Sequence, residues 1–262
     1  GGNMASAIIG GLIQQGTPAE AFEVVEPFEE ARAKLSQSFG IVAKAEAGEA
    51  LSRCGVVVWA VKPQTFAEAT RPVRAHVEDA LHLSVAAGIP SDSIARWLGT
   101  ERVVRAMPNT PALVGKGMTG LFARPGVDSS DRSMVGQLLA PTGELLWVDA
   151  EPALDAVTAI SGSGPAYVFY FIEAMTEAGV EMGLTPEQAL RLSVGTFTGA
   201  SALAHSATEP PSVLRERVTS KGGTTYAAIT SLQAADVKSQ FKTAIRAAQK
   251  RAAELGEEFG RG

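Results

Sequence analysis

Hydrophobic and polar positions in the first half of the chain alternate between the period of strands and the period of helices. Residues 56–61 form an unbroken apolar run, which is typical of a strand buried on both faces. Residues 28–39 place Ala31, Leu35 and Phe39 on one face and therefore predict a helix. The same patterns predict further strands at 21–25, 81–87, 102–107, 118–123 and 144–148, and further helices after the opening glycines, at 93–98 and at 130–139.

After residue 149 the strand pattern ends and helical patterns take its place. Residues 165–182 begin with a proline and stop before Gly183, and Thr185, Pro186 and Gln188 form a capping-box sequence whose helix should run to about residue 205. A short helix is predicted at 213–218 and a long one, with a single apolar stripe, at 236–255. The small residues between 195 and 204 let helices approach closely, so we expect an all-α bundle completed by a second subunit.

This order of elements predicts an α/β protein with two domains. Strands that alternate with helices indicate a Rossmann-like, doubly wound and mostly parallel sheet with helices on both faces. We place this domain at residues 1–149 and an all-α domain at residues 150–262. Ligands of such sheets bind at the carboxyl ends of the strands.

Composition narrows the class of partner. The 262 residues include 23 Lys and Arg against 28 Asp and Glu, a net charge of −5, which argues against nucleic acid or an anionic membrane as a partner. The longest uncharged stretch, at the start of the chain, is too polar and too rich in glycine to span a membrane. Cys54 is the one cysteine, so no intrachain disulfide is possible and a reducing compartment fits. We expect a soluble, cytoplasmic protein.

The chain opens on a glycine turn that leads into a helix, formed by Gly1, Gly2, Asn3, Met4 and Ala5. Glycines allow the backbone to approach a pyrophosphate, and the start of a helix offers unpaired N–H groups with a partial positive charge. One glycine before Gly1 would complete the G-x-G-x-x-A pattern of dinucleotide-binding turns. We therefore expect the native protein to begin several residues earlier, with an apolar strand that ends in glycine.

Glu26 follows the predicted strand at 21–25, about 20 residues after the glycine turn, where dinucleotide-binding folds place a ribose-binding carboxylate. A carboxylate accepts hydrogen bonds from a 2′-hydroxyl and repels a 2′-phosphate. Glu26 therefore favours NADH over NADPH. The positive charges of Arg32 and Lys34 on the next helix could weaken this preference. The alternative interpretation is a solvated acid at the end of a strand.

Several other segments suit ligand binding at strand tips and helix starts. Two predicted strands end in small residues over which a dinucleotide can lie, namely Ala60, Val61, Lys62 and Pro63 after one strand and Val85, Ala86 and Ala87 in the other. Asn109 stands in a loop pinned by two prolines, and we expect its amide to face the crevice. Residues 161–165 enter a helix tightly, and residues 218–225 form a glycine loop that offers N–H donors to an anion. An ordinary cap or turn is the alternative for each.

Residues suited to metal or nucleophilic chemistry are sparse. His76, His82 and His205 each lack a second ligand at metal-site spacing, and Cys54 precedes a buried strand, where packing explains it. We expect no metal and a reaction whose chemistry comes largely from a cofactor.

Together these segments resemble the pyrroline-5-carboxylate reductase family, which catalyses the last step of proline biosynthesis. The resemblance covers essentially the whole chain and rests on ordered motifs: G-G-N-M-A at the start, A-V-K-P at 60–63, M-P-N-T-P at 107–111, S-G-S-G-P-A-Y at 161–167 and V-T-S-K-G-G-T-T at 218–225. It implies an oxidoreductase with a Rossmann domain and a helical dimerisation domain, assembled as a homodimer or a larger ring of dimers. NADPH or NADH would be the cofactor and a cyclic imine the substrate.

The resemblance also implies roles for individual residues. The pyrophosphate would lie at residues 1–5, the nucleotide over residues 60–63, and the nicotinamide near residues 85–87 and Asn109. Thr225 would bond the ring nitrogen of the imine and orient it or relay a proton, as the catalytic residue. The other implied substrate-binding residues, besides Thr225 itself, are Glu151, Ser220, Gly223 and Thr224.

Two other functions compete with this one. β-Hydroxyacid dehydrogenases have a similar layout but place a catalytic lysine on the first helix of the second domain, and residues 165–182 contain no lysine. A non-catalytic dinucleotide-binding regulator or scaffold could share the fold; the intact 220–225 loop argues for a working site. The chain departs from the family pattern at Lys221, where many relatives have proline, and at residues 46–47, where an expected asparagine is missing.

Overall fold

The computed structural model describes residues 2–260, which form two compact units. The first unit takes in the chain up to Ser163 together with the segment from Ala248 onward, and the second comprises Gly164–Ala247. The boundary between these units therefore falls inside the region that the sequence assigns to the helical domain from residue 150.

The first unit contains a five-stranded sheet and the helices that pack on it. Its strands are β1 (Val56–Trp59), β2 (Leu81–Ser84), β3 (Val103–Met107), β4 (Gly117–Ala123) and β5 (Gly143–Trp147). Its helices are α1 (Asn3–Gln14), α2 (Glu29–Phe39), α3 (Phe66–Val73), α4 (Ser91–Leu98), α5 (Ser129–Leu139) and α6 (Ala153–Val157). Short 3₁₀ turns lie at Ala19–Ala21, Glu49–Arg53, Pro63–Thr65, Arg74–His76, Thr110–Val114 and Ala140–Thr142, and one π-helical turn at Thr158–Gly162.

The strands follow one another across the sheet in chain order, β1-β2-β3-β4-β5. β1, β2 and β3 are parallel, as are β4 and β5, whereas β3 and β4 are antiparallel. The connection between Met107 and Gly117 is shorter than the roughly dozen residues that a parallel crossover needs, so β4 turns back beside β3. The prediction of a mostly parallel Rossmann-like sheet is confirmed, with this one reversal added.

The strand predicted at residues 21–25 does not form, and this prediction is wrong. The segment begins in a 3₁₀ turn, and only an isolated parallel bridge joins Val25 to Lys44. Two backbone hydrogen bonds support that bridge, from the Glu26 amide to the Lys44 carbonyl and from the Lys44 amide to the Val24 carbonyl, each 2.8 Å long. This bridge is isolated, and the partner segment continues into the 3₁₀ turn at Glu49–Arg53 rather than into a strand.

Two apolar clusters cover opposite faces of the sheet, as the doubly wound fold predicts. Leu83 and Val104 belong to the cluster that α1 and α5 cover, which also contains Ile8 and Val135. The other cluster joins Trp59 and Val103 of the strands to α3 and α4. Neighbouring residues of one strand thus serve opposite faces, because side chains of a strand alternate in direction.

A buried hydrogen bond between Trp59 and His82 links β1 to β2. The indole Nε1–H donates to His82 Nδ1 at 3.0 Å, and only 1% of His82 is exposed. Burial lowers the pKa of His82 to about 4, a shift that a backbone hydrogen bond at Val77 opposes and the charge of Arg102 reinforces. The imidazole is therefore neutral in the folded protein at pH 7.

The second unit is helical throughout. It comprises α7 (Gly164–Glu181), α8 (Pro186–Ser206), α9 (Pro211–Arg217), α10 (Thr224–Ala234) and the first part of α11 (Val237–Gly260), whose last part belongs to the first unit. The predicted capping box of α8 is confirmed: Thr185 Oγ1 accepts from the Gln188 amide at 3.2 Å, and Gln188 Oε1 accepts from the Thr185 amide at 3.0 Å. Within residues 2–260, no helix is both long and apolar enough to cross a membrane.

Replacing His82 with asparagine should remove a pH-dependent part of the stability. The unfolded imidazole takes up a proton below a pKa of about 6.5, whereas the folded one resists protonation down to about 4. The free energy of unfolding should therefore fall as the pH drops from 6.5 towards 4, by about 3 kcal/mol from this residue. His82→Asn keeps an acceptor for Trp59 but cannot titrate.

Urea unfolding of both proteins between pH 7.5 and 4.5 measures this effect. The stability difference between wild type and His82→Asn should shrink as the pH falls, since only the wild type loses the contribution. Parallel stability curves over that range would show that burial of His82 does not affect its protonation.

Candidate active site

The start of α1 has the features of an anion-binding site. Gly2 precedes the helix in extended backbone, and a Cβ built on it would meet nothing within 4 Å. No side chain caps this end, and its first turn, which includes Asn3, Met4 and Ala5, contains no acidic residue. The first amides of a helix have no intrahelical acceptor, so they are suited to bind a pyrophosphate here. Gly1, the other residue predicted for this turn, lies outside the described residues.

Glu26 lies in a turn whose geometry is fixed by hydrogen bonds. Its side chain is buried, and Oε1 accepts from the Phe28 amide at 3.1 Å. Arg32 donates through Nη1 to the carbonyl oxygens of Glu26 (2.9 Å) and Pro27 (2.7 Å). From the sequence, the positive charge of Arg32 is expected to weaken the preference of Glu26 for NADH. In the structure, the Arg32 guanidinium stabilises the backbone of the turn that carries Glu26.

The segments after β1 and β2 lie side by side at one edge of the sheet. Trp59 pairs with Ser84 at the ends of the two parallel strands, and the Val85 amide donates to the Trp59 carbonyl at 3.1 Å. The structure thus brings together two predicted cofactor segments, Ala60, Val61, Lys62 and Pro63 with Val85, Ala86 and Ala87. Lys62 and Ala87 are exposed there, and Ala86 is buried against the core.

Asn109 uses its amide within the protein, which differs from the expectation that it faces the crevice. Nδ2 donates to the carbonyl oxygen of Ser161 (3.2 Å) and to Ser161 Oγ (3.1 Å), and Oδ1 accepts from the Met118 amide at 2.9 Å. Ser161 Oγ in turn donates to the Met118 carbonyl at 3.3 Å. Asn109 therefore ties residues 107–111 to β4 and to the motif at 161–165. Its contact with a cofactor stays a prediction.

Glu151 is bound by three donors of the first unit. Oε1 accepts from the Ser91 amide at 2.6 Å and from Arg105 Nη1 at 2.5 Å, and Oε2 accepts from Ser91 Oγ at 2.5 Å. The Arg105 and Glu151 side chains are only 13% and 22% exposed. Ser91 begins α4, so the carboxylate also lies at the positive end of a helix. The predicted role of Glu151 at the edge of the substrate site is untested.

A second carboxyl group and a second arginine surround this pair. Burial raises the pKa of Asp155; the charge of Arg105 acts against that rise and the charge of Glu151 adds to it. Arg124 donates to Ser91 Oγ at 3.1 Å and forms ion pairs with Asp92 and Glu101. Sequence reasoning missed this network. The available signal was Arg105 itself, a charge inside an otherwise apolar strand.

The loop predicted to bind the substrate lies in the second unit and ends at an open helix start. Gly222 has φ +76°, a conformation that favours glycine, and the Gly223 amide donates to the Ser220 carbonyl at 3.0 Å. Gly223 precedes α10 without a side-chain cap, and the first turn of α10 has no acidic residue. Thr224 is exposed and Thr225 half-buried. These features suit a carboxylate, which the amides of the first turn can bind.

The predicted residues thus divide between the two units. The start of α1, Glu26, the strand-end segments, Asn109 and Glu151 belong to the first unit, and residues 220–225 belong to the second. Among residues 2–260, no group of three or more His, Cys, Asp or Glu side chains could hold a metal ion.

Two family models match separate parts of the chain. Residues 151–255 match the family of pyrroline-5-carboxylate reductase dimerisation domains. Residues 1–88 match a family described as NADP oxidoreductase, coenzyme F420-dependent.

Full-length relatives and solved structures carry the same description. A pyrroline-5-carboxylate reductase of Pseudomonas aeruginosa is 45% identical over 261 residues, covering 99% of this chain and 96% of the relative. A solved pyrroline-5-carboxylate reductase of Coxiella burnetii superposes with a TM-score of 0.90 at 35% identity, over 97% of this chain and 95% of that one. The Plasmodium falciparum enzyme, solved with NADP bound, gives a TM-score of 0.86 at 28% identity with the same coverage. The chain therefore belongs to the pyrroline-5-carboxylate reductase family.

Proposed function

We propose that this protein reduces pyrroline-5-carboxylate to L-proline with NAD(P)H, the last step of proline biosynthesis. The observation that carries this proposal is the match, at 45% identity, to a reductase over nearly the full length of both chains. A hydride adds to the imine carbon C5 and a proton adds to the ring nitrogen, so the C=N bond becomes CH–NH. The reaction class is that of an NAD(P)H-dependent oxidoreductase acting on a C=N group.

The first unit has the groups that a dinucleotide needs. The open start of α1 would hold the pyrophosphate, Glu26 the adenosine ribose, and the strand-end segments at 60–63 and 85–87 the rest of the cofactor. When bound, NAD(P)H supplies the hydride. The protein has to hold the reacting carbons at about 3–3.5 Å from each other, which supplies much of the rate enhancement.

Residues 220–225 would bind the imine. The amides at the start of α10 and the Ser220 and Thr224 hydroxyls would meet the substrate carboxylate, next to the positive charge of Lys221. The Thr225 hydroxyl would bond the ring nitrogen and orient it or relay a proton from water. A protonated imine is the better hydride acceptor, and such proton delivery contributes roughly 10²–10⁴-fold.

The second unit carries the dimerisation region of the family, so the protein is a homo-oligomer. We propose that the protein forms a homodimer through this unit and that such dimers assemble into a larger ring. We also propose a domain boundary between residues 149 and 150 and a cytoplasmic location. Large apolar side chains of the unit support the dimer: Phe169, Tyr170 and Leu203 are each more than 60% exposed in the single chain. Native mass spectrometry distinguishes a dimer from a ring.

The purified protein should oxidise NADH or NADPH only when pyrroline-5-carboxylate is present, and proline should form in equal amount. Absorbance at the dihydronicotinamide band measures the first quantity and chromatography the second. Tight cofactor binding without imine-dependent oxidation would instead favour a non-catalytic dinucleotide-binding regulator.

We expect Glu26→Gln to shift the cofactor preference towards NADPH. The turn at Glu26 leads into α2, whose first turn adds Glu29 and Glu30, so a 2′-phosphate would meet several negative charges. Removing one of them should raise the ratio of kcat/KM for NADPH to that for NADH by about tenfold, or roughly 1.4 kcal/mol. Glu20→Gln, an exposed carboxylate before this turn, is the matched control. An unchanged ratio in both variants would exclude Glu26 from cofactor selection.

Thr225→Val should lower kcat by about 10²-fold or more, because it removes the hydroxyl that would serve the imine nitrogen while keeping the shape of the side chain. Cofactor binding, measured by quenching of protein fluorescence, should stay near the wild-type value. Thr225→Ser should restore most of the activity, and Thr230→Val, on the same helix but exposed, should have little effect. Normal turnover of Thr225→Val would remove Thr225 from the mechanism.

A further inference from the structure

We propose that Glu151 is a positioning residue for hydride transfer, and that it acts by fixing the segment 85–91 rather than by binding the imine. This inference rests on the proposed function, in which Val85, Ala86 and Ala87 carry the nicotinamide. We call residues 85–91 the nicotinamide segment. It runs from the end of β2 to Ser91, the first residue of α4.

The beginning of the nicotinamide segment is tied to the sheet. The Val85 amide continues the β1–β2 ladder by donating to the Trp59 carbonyl at 3.1 Å. The Ala86 amide then donates to Ser84 Oγ at 3.3 Å, which closes a small turn at the strand end. Both hydrogen bonds join uncharged groups, and both involve only the first two residues of the segment.

The middle of the segment packs against the end of α11. Gly88 has φ +74°, and a Cβ built there would come within 3.2 Å of Leu255 and 3.3 Å of Phe259. A Cβ built on Gly260 would come within 2.9 Å of the Pro90 ring. These contacts limit the space around the segment from one side but contain no hydrogen bond to it.

Glu151 holds the far end. Ser91 is completely buried, and both its amide and its hydroxyl donate to the Glu151 carboxylate. Arg105, within β3, binds the same carboxylate at 2.5 Å, so the last residue of the nicotinamide segment is attached to the middle of the sheet. Hydrogen bonds to charged groups are stronger than those between neutral groups.

The charge of Glu151 determines whether this arrangement persists. The charges of Asp155 and Arg105 also interact. With a neutral side chain at position 151, Arg105 would therefore interact with the Asp155 carboxyl group alone. The Ser91 amide and hydroxyl would then lose a charged acceptor in a buried place. The far end of the segment would keep only the hydrogen bond from Arg124 to Ser91 Oγ and its packing. A displacement of about 1 Å between reacting groups can cost 10²-fold in rate.

A single-charge variant and a matched control separate positioning from general stability. Glu151→Gln preserves size and removes the charge. Asp131→Asn makes the same kind of change on α5, where Asp131 binds Arg102 at 2.7 Å and completes the α5 capping box. Arg102 immediately precedes β3, at the opposite end of that strand from its carboxyl end, and Asp131 has no contact of its own with residues 85–91 among its hydrogen bonds within residues 2–260.

Hydrogen–deuterium exchange without cofactor gives the first readout. We expect the amides of the nicotinamide segment to exchange faster in Glu151→Gln and at the wild-type rate in Asp131→Asn. In turnover, Glu151→Gln should lower kcat by about 10–100-fold with a larger isotope effect from 4-deuterated NADPH, while KM for the imine changes less than about threefold. Ser91→Ala, which removes only one donor, should change the same quantities in the same direction by a smaller amount.

Other results overturn the inference. A higher KM for the imine with unchanged kcat would make Glu151 a substrate ligand. Equal exchange and equal kinetics in Glu151→Gln and Asp131→Asn would reduce its role to stability. If wild-type protein fails to oxidise NAD(P)H with the imine, the proposed function fails instead, and exchange of the nicotinamide segment in the two variants still decides whether Glu151 holds it.

Discussion

The carboxylate of Glu151 is the interaction on which the proposed positioning of the nicotinamide segment depends. It joins residues far apart in the chain: Ser91 at the start of α4, Arg105 in β3, and the segment that leads from β5 into α6. Burying these charges is costly, and the three hydrogen bonds that the carboxylate accepts offset part of that cost. Burial also raises the pKa of Asp155, which interacts with both Arg105 and Glu151. The path of the chain from β2 to α4 is therefore set by electrostatics as well as by the sheet.

Helix starts in this protein differ in whether the chain itself provides hydrogen-bond acceptors for their first amides. Glu151 caps α4, Asp128 and Asp131 cap α5, and Thr185 caps α8. The starts of α1 and α10 follow a glycine and have neither a side-chain cap nor an acidic first turn. Helix amides without an acceptor in the protein are left to water or a ligand. The start of α9 also lacks a side-chain cap and an acidic first turn, but it is formed by Pro210 and Pro211, which have no amide N–H to offer. The open starts of α1 and α10 coincide with motifs that the sequence assigns to anions, a pyrophosphate and a carboxylate, which agrees with the proposed division of binding between the units.

Sequence reasoning succeeded where the signal is local. Apolar runs located β1 to β5, and the spacing of Thr185 and Gln188 gave a capping box that both hydrogen bonds bear out. It failed where distant segments decide. Residues 21–25 have strand composition but pair only at Val25, whose partner segment forms no strand. Sequence reasoning also did not name the partners of Asn109, which are Ser161 and Met118, or those of Glu151, which are Ser91 and Arg105. These hydrogen bonds join residues that are not neighbours in the chain, so no local sequence pattern predicts them.

Under the proposed function, cofactor selectivity depends on the turn at Glu26 rather than on the fold. A relative with the same fold was solved with NADP bound, so the fold itself accommodates the 2′-phosphate. In this chain the corresponding turn carries Glu26 and leads to Glu29 and Glu30. Arg32, a nearby cation, donates through Nη1 to the carbonyl oxygens of Glu26 and Pro27. Those bonds hold the Glu26 backbone in place and leave fewer donors of Arg32 for a phosphate. Under the proposed function, Arg32 therefore stabilises the turn that carries Glu26 rather than binding a 2′-phosphate.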